Sequence, residues 1–250
     1  MKLVIYATLC DPNCEENLKY LKTILKYADI LELGIPFSDP LADGPTIQKA
    51  HVRALKAGGS LKKSFKVVKI LKEEFKNKDI YVMTYYNPVF KYGEENFLKD
   101  LKEANGKGFI IPDLPAEEGE NISKNAKALN LDPVFLAAPT SDEKRIKLIS
   151  KVSGDNIYYV SLTGITGARD KLDFENIKKH YLKVKEISKK HVWIGFGISK
   201  KEHVQALSFA DAIVIGSKVV SFIEKNDLKG LEKFLKEIRS EVEKINATSC

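Results

Sequence analysis

Eight short apolar runs, separated by longer stretches of helical periodicity, constrain this chain more than any other feature. They span residues 3–7, 29–33, 80–85, 108–113, 133–137, 157–161, 192–196 and 212–215. Most are apolar nearly throughout, as strands become when helices cover both faces of a parallel sheet; an open antiparallel sheet would alternate instead. Between the runs, apolar residues recur at three- and four-residue spacing. Leu18, Leu21, Ile24 and Leu25 do so within 15–27, and Phe65, Val68, Leu71 and Phe75 within 61–75. Ile146, Ile149 and Val152 mark 142–152, and Leu231, Leu235 and Ile238 mark 228–245. Gly58-Gly59 divides two helices after the second strand, the first over 46–57. Eight strand–helix units without a linker or composition break predict one (β/α)8 TIM barrel domain over residues 1–250. A doubly wound open sheet fits less well, because TLCDPNCEEN follows the first strand where a GxGxxG would stand.

The apolar fraction of 44% and charged fraction of 30% suit a globular domain with a substantial core. No apolar run approaches the roughly eighteen residues a membrane span needs. Met1-Lys2 leads straight into LVIYATL, too short for a secretory h-region with its cleavage site, so the chain is expected in the cytoplasm. The net charge of +7 comes from lysines scattered among glutamates; only Arg53, Arg145, Arg169 and Arg239 are arginine. That pattern is a solvated coat, not the clustered basic and aromatic surface that nucleic acid requires. The Lys/Glu excess also points to a heat-adapted source. Cys10, Cys14 and Cys250 have no framework spacing and are expected to be reduced thiols, without a zinc site. His51, His180, His191 and His203 share no spacing and read as surface or helix residues.

In such a barrel, function collects at the C-terminal ends of the strands. Those ends offer Asp11, Glu32 with Asp43, Asn87, Asp113, Thr140, Thr163–Gly167, Gly195-Phe196-Gly197 and Gly216-Ser217. Two sets carry specific chemistry. GITG (164–167), GFGIS (195–199) and IGS (215–217) sit at the last three strand ends. There, backbone N–H groups near helix N-termini can cradle a phosphate, and small residues let it approach the main chain. The bland alternative is that these glycines only turn the chain. Glu32 is a lone carboxylate in an apolar strand end, a setting that raises its pKa and suits it to give and take protons near neutrality. Asp43, in a loop bounded by Gly and Pro, is expected to be more mobile and solvated. Each acid alone has an ordinary structural reading, a salt-bridged barrel residue and a turn residue before Gly44. Together, opposite a phosphate cradle, they suggest a lyase or isomerase.

LELGIPFSDPLADGPTIQ (31–48) strongly resembles the signature of the tryptophan synthase α subunit family, and the likeness runs the length of the chain. MTYYNPVF (83–90), IIPDLPAEE (110–118), FLAAPTS (135–141), YYVSLTGITGAR (158–169), GFGIS and IGS follow in the family's order. The resemblance implies retro-aldol cleavage of indole-3-glycerol phosphate to indole and glyceraldehyde 3-phosphate, with no cofactor or metal. By position it makes Glu32 the proton-transferring glutamate and Asp43 the acceptor of the indole N–H. Tyr158 would line the site, and Gly167, Gly197, Gly216 and Ser217 would bind phosphate. Tyr6, Met83, Ile110, Leu136, Thr166, Phe196 and Val214 would line the indole pocket. It also implies a pyridoxal-phosphate β subunit that receives indole through a tunnel in an αββα heterotetramer, with Pro36, Asp39, Asp43 and Asn87 in the loops that face it.

Three features depart from the family pattern. No helix precedes the first strand, so the bottom of the barrel is expected to be covered differently. Cys10 stands where the family has Gly before Asp11, in a loop expected near the partner surface. Leu162 and Thr163 differ from commoner versions of the sixth loop. Rival readings fare worse. A Schiff-base aldolase needs a strand lysine and a triosephosphate-isomerase-like enzyme a strand-end histidine, both missing from the eight runs. A silent scaffold barrel has no need of both Glu32 and Asp43.

Overall fold

Parallel pairing carries each strand to the next in sequence until the last closes on the first. The strands are β1 (Lys2–Thr8), β2 (Ile30–Gly34), β3 (Asp79–Met83), β4 (Gly108–Ile110), β5 (Asp132–Ala137), β6 (Asn156–Val160), β7 (His191–Gly195) and β8 (Ala212–Ile215). Val4 pairs with Ile30 across β1 and β2, Lys2 pairs with Ala212 across β1 and β8, and the sheet closes into a (β/α)8 TIM barrel. The computed structural model describes residues 1–160, 173–195 and 197–248.

The helices are α1 (Cys14–Tyr27), α2 (Pro45–Lys56), α3 (Leu61–Glu74), α4 (Tyr86–Tyr92), α5 (Glu94–Glu103), α6 (Glu120–Ala128), α7 (Glu143–Val152), α8 (Phe174–Ser188), α9 (Lys201–Ala206), α10 (Ser217–Glu224) and α11 (Leu228–Thr248). Their starts follow local chemistry. Asn13 accepts from the N–H groups of Glu15 and Glu16, and Asp142 accepts from that of Arg145, so side chains satisfy the first turns of α1 and α7. Pro45 opens α2 at a position whose N–H needs no helical partner. Among the described residues no helix is long and apolar enough to cross a membrane.

Two apolar layers result. Leu3, Ile5, Leu31, Leu33, Ile80 and Val82 point outward under the helices, where Leu21, Ile24, Leu71 and Leu235 meet them. Val4, Ile30, Tyr81, Ile110, Val134, Tyr158, Trp193 and Val214 fill the barrel interior. At the N-terminal end of the strands the interior is polar and fully bonded. Asp132 accepts from Tyr81 Oη at 2.7 Å, from Asn156 Nδ2 at 2.5 Å and from the Asp155 N–H at 2.7 Å. Trp193 Nε1 donates to Asn156 Oδ1 at 2.9 Å, with its ring edge-on to Tyr81.

Two expectations are corrected. Cys10 and Cys14 form a disulfide in place of two reduced thiols, since the turn after β1 returns the chain onto the first residue of α1. Cys10 is 2% exposed in the outer apolar layer, so it is no surface residue. Its φ of 62° explains why glycine suits the position, because an L side chain there is strained. The fourth strand ends at Ile110, three residues early, because Pro112 has no N–H for the ladder and Asp113 turns to accept from the Tyr86 N–H at 2.8 Å.

Candidate active site

Alternation along β2 sends Leu31 and Leu33 out to the helices and turns Glu32 into the barrel. Its register neighbours are Tyr6 on β1 and Tyr81 on β3. Glu32 is 1% exposed, and its Oε2 has no hydrogen-bond partner among the described residues. Burial and then the charge of Asp43 push its carboxyl up to about 8. At neutral pH it is therefore mostly a carboxylic acid, yet close to the point at which it also takes a proton.

Asp43 departs from expectation. Its side chain is 7% exposed and pinned, not mobile and solvated. Tyr85 Oη donates to Asp43 Oδ2 at 2.7 Å, and the Ala42 N–H in the same loop donates back to that hydroxyl at 3.0 Å. His51 Nε2 lies 3.2 Å from the same Oδ2. His51 is 3% exposed, and its Nδ1 accepts from the Phe37 N–H at 3.0 Å. It is no surface residue, and the sequence reading missed it. One signal was present: Ile47, Ala50, His51 and Ala54 share a helical stripe, and Ala50, His51 and Ala54 are all buried.

Three phenols surround the acids. Burial, with Asp43 as the next contribution, keeps the Tyr6 and Tyr85 hydroxyls protonated; for Tyr158 the contribution after burial is Glu32. Two glycines make room for two of them. A Cβ on Gly34 would collide with the Tyr6 hydroxyl, and one on Gly195 with that of Tyr158. Gly195 thus has a packing reason beyond any phosphate loop. Met83 and Ile110 are register partners across β3 and β4, as are Leu136 and Tyr158 across β5 and β6. With Val214 they belong to the inner layer on which the acids sit. A cavity of about 420 Å³ opens beside Leu136 and Val160, lined also by Thr140, Ser141 and Arg145.

Of the expected phosphate residues, Gly197 adopts φ 77° after β7, and Gly216 and Ser217 begin α10. His203 Nδ1 lies 3.3 Å from Ser199 N and 3.1 Å from Gly197 O, tying this loop to α9. Thr166, Gly167, Phe196 and the variant Leu162-Thr163 pair lie outside the described residues. On the partner side, Asp39 and Asn87 are exposed, whereas Pro36 is buried, its ring close beneath Gly59. Asp11, another strand-end acid, is fully buried and held in the fork of Arg53, which leaves it a structural brace. Among the described residues no three His, Cys, Asp or Glu side chains group as a metal site.

A family model described as tryptophan synthase alpha chain matches residues 1–249. The chain is 45% identical to the tryptophan synthase alpha chain of Aquifex aeolicus over 95% of its own length and 91% of the relative's. It is 46% identical to that of Methanocaldococcus jannaschii, covering 90% of this chain and 82% of the relative. A solved structure of the tryptophan synthase α2β2 complex from Pyrococcus furiosus contains a chain that is 38% identical, with a TM-score of 0.86 over 95% of this chain and 97% of that one.

Proposed function

This chain belongs to the tryptophan synthase alpha chain family, and on that premise we propose how its barrel mouth does the family's chemistry. The enzyme is a carbon–carbon lyase of tryptophan biosynthesis that cleaves indole-3-glycerol phosphate to indole and glyceraldehyde 3-phosphate. In our reading Glu32 is the acid and base of that cleavage, Asp43 receives the indole N–H, and Gly197, Gly216 and Ser217 hold the phosphate together with Gly167.

The steps balance as follows. Glu32 gives its proton to indole C3, which turns the ring into a cationic indolenine. The resulting carboxylate takes the proton of the adjacent glycerol hydroxyl, and the O–H pair becomes the new C=O bond. The C3–carbon bond breaks, its electrons restore the indole double bond, and the iminium pair returns to nitrogen. Positive charge at N1 peaks in mid-reaction, where a carboxylate oxygen on the N–H stabilises it most. Tyr6, Tyr85 and Tyr158 stay protonated in this cycle and exclude water.

One observation carries the reading: a wholly buried glutamate raised to about 8 beside a second carboxylate. An acid so poised gives and takes protons near neutrality without a large energy penalty in either direction. Replacing Glu32 by Gln keeps the shape and removes the proton. Indole release should fall by at least about 100-fold with KM little changed. A variant that released indole at near the wild-type rate would remove Glu32 from the mechanism.

We extend to this chain the β-subunit partner of the Pyrococcus furiosus α2β2 complex. Leu41, 87% exposed in the loop that carries Asp39, and Phe90, 67% exposed on α4 with Asn87, support an apolar docking patch at the mouth. The enzyme would act in the cytoplasm and pass indole directly to that subunit.

A further inference from the structure

We propose that His51 is a positioning residue for the cleavage reaction, one that with Tyr85 fixes Oδ2 of Asp43 and leaves Oδ1 to meet the indole N–H. This deepens the reading of Asp43 given above and rests on it.

The tautomer comes from the backbone. The Phe37 N–H points at His51 Nδ1 from 3.0 Å, so that nitrogen carries the lone pair and the proton of the neutral ring sits on Nε2. Nε2 in turn lies 3.2 Å from Asp43 Oδ2, where the Tyr85 hydroxyl also arrives at 2.7 Å. One donor, the Tyr85 hydroxyl, thus bonds Oδ2, and the His51 ring on α2 closes against the same oxygen with its buried Nε2 lacking an aligned hydrogen-bond partner among the described residues. Among the described residues no group donates to Oδ1.

The surroundings are stiff. Phe37 stacks on Tyr85 with ring centroids 5.3 Å apart, and the His51 ring meets Tyr85 edge-on at 6.4 Å. Phe37 and Asp43 lie near the two ends of the loop between β2 and α2, and His51 touches both. A carboxylate held by one donor alone can rotate and exchange its oxygens; with the Tyr85 bond on Oδ2 and the buried His51 ring packed against the same oxygen it presents Oδ1 in one direction. Such fixing raises turnover by removing misaligned complexes, while binding of the phosphate and ring elsewhere is untouched.

Two amides separate the two jobs of the ring. In His51→Asn the amide oxygen stands near the position of Nδ1 and can still anchor Phe37, but nothing reaches Asp43. In His51→Gln the amide N–H extends to the position of Nε2 and restores the contact with Oδ2. Indole release by the full-length protein is measured for His51→Ala, His51→Asn, His51→Gln, Asp43→Ala and the Asp43→Ala/His51→Ala pair. Single turnovers at high enzyme concentration read the slow variants, and thermal melting verifies that each is folded. We expect kcat to fall about 10-fold or more in His51→Ala and His51→Asn with KM within about threefold, and His51→Gln to recover to within about threefold of wild type. The pair should be no slower than Asp43→Ala alone, because the histidine then has nothing to position.

Near-wild-type kcat in His51→Asn, or an equal further loss when His51→Ala is added to Asp43→Ala, would overturn the proposal with the role of Asp43 intact. A kcat in Asp43→Ala close to wild type would instead overturn the reading of Asp43 itself. A loss confined to KM and melting temperature would make His51 merely structural and defeat the proposal.

Discussion

Glu32 keeps its proton in the folded protein up to about pH 8, whereas the same carboxyl in an unfolded chain loses it near 4.5. Between those values the unfolded state binds fewer protons than the folded one, so stability falls as pH rises. The contribution is fully present below about pH 4.5 and is lost as pH climbs through 8. For a wholly buried group this gap corresponds to on the order of 5 kcal/mol at alkaline pH. Glu32→Gln has no such proton to lose. Its stability relative to wild type should therefore rise by at least about 2 kcal/mol between pH 5 and pH 8.5, as read by urea unfolding at both values. Parallel pH dependences would show that Glu32 is ordinary in the folded state. This acid was legible in sequence because a single carboxylate in an apolar strand has few structural excuses. The setting of Asp43 was not, since its burial comes from Tyr85, forty-two positions away, and from His51 on the next helix. A lone histidine carries no spacing signal, and only its place on the buried stripe of α2 distinguished it.

Helix α2 braces the mouth in two directions. His51 faces the loop, while Arg53 reaches Asp11 with Nε at 2.7 Å and Nη2 at 2.9 Å and sends Nη1 to Glu224 at 2.9 Å. The fork thereby links α2 to the loop after β1 and to the end of α10. Asp11 is fully buried, so removing the guanidinium strands a charge in the interior. Arg53→Met should cost about 3 kcal/mol in thermal or urea unfolding, and Asp11→Asn added to it should recover a good part of that loss. Losses that simply add would mean that the two side chains do not depend on each other. At this scale the strands were legible because burial on both faces writes an unbroken apolar run. The paired helices α4 and α5 were not. Neither Tyr85 nor Gly93, which precede them, caps its helix with a side chain, and α4 lasts only seven residues, too few for a period to emerge. The disulfide escaped because two cysteines four apart look like neighbours on one helix, whereas the left-handed turn at Cys10 puts only Cys14 on α1.

The whole barrel divides its polar interior between two ends with opposite demands. At the mouth, Glu32 has an oxygen without a partner among the described residues and stores the reactivity that burial gives it. At the N-terminal end, the described polar atoms of Asp132, Asn156, Tyr81 and Trp193 satisfy one another, and the network joins strands β3, β5, β6 and β7. Eight strand–helix units predict the closed barrel that is found, but not the register that closes it: β8 pairs with β1 across more than two hundred positions, and no local pattern encodes which residues meet. The polar plug sits where a cyclic sheet would otherwise leave a hole, so it belongs to the stability of the closed form and not to chemistry. Asp132→Ala tests that division. It strips Tyr81 and Asn156 of a shared acceptor in a dry interior and should cost about 2–4 kcal/mol in urea unfolding. Indole release at a temperature where the variant is folded should stay within about twofold of wild type, since the loss is confined to the opposite end of the barrel. A fall in kcat beyond about tenfold with little loss of stability would mean that the two ends are coupled through the inner layer. The barrel would then have to be treated as one polar unit, because Tyr158 and Trp193, register partners between the plug and the mouth, would be transmitting the change.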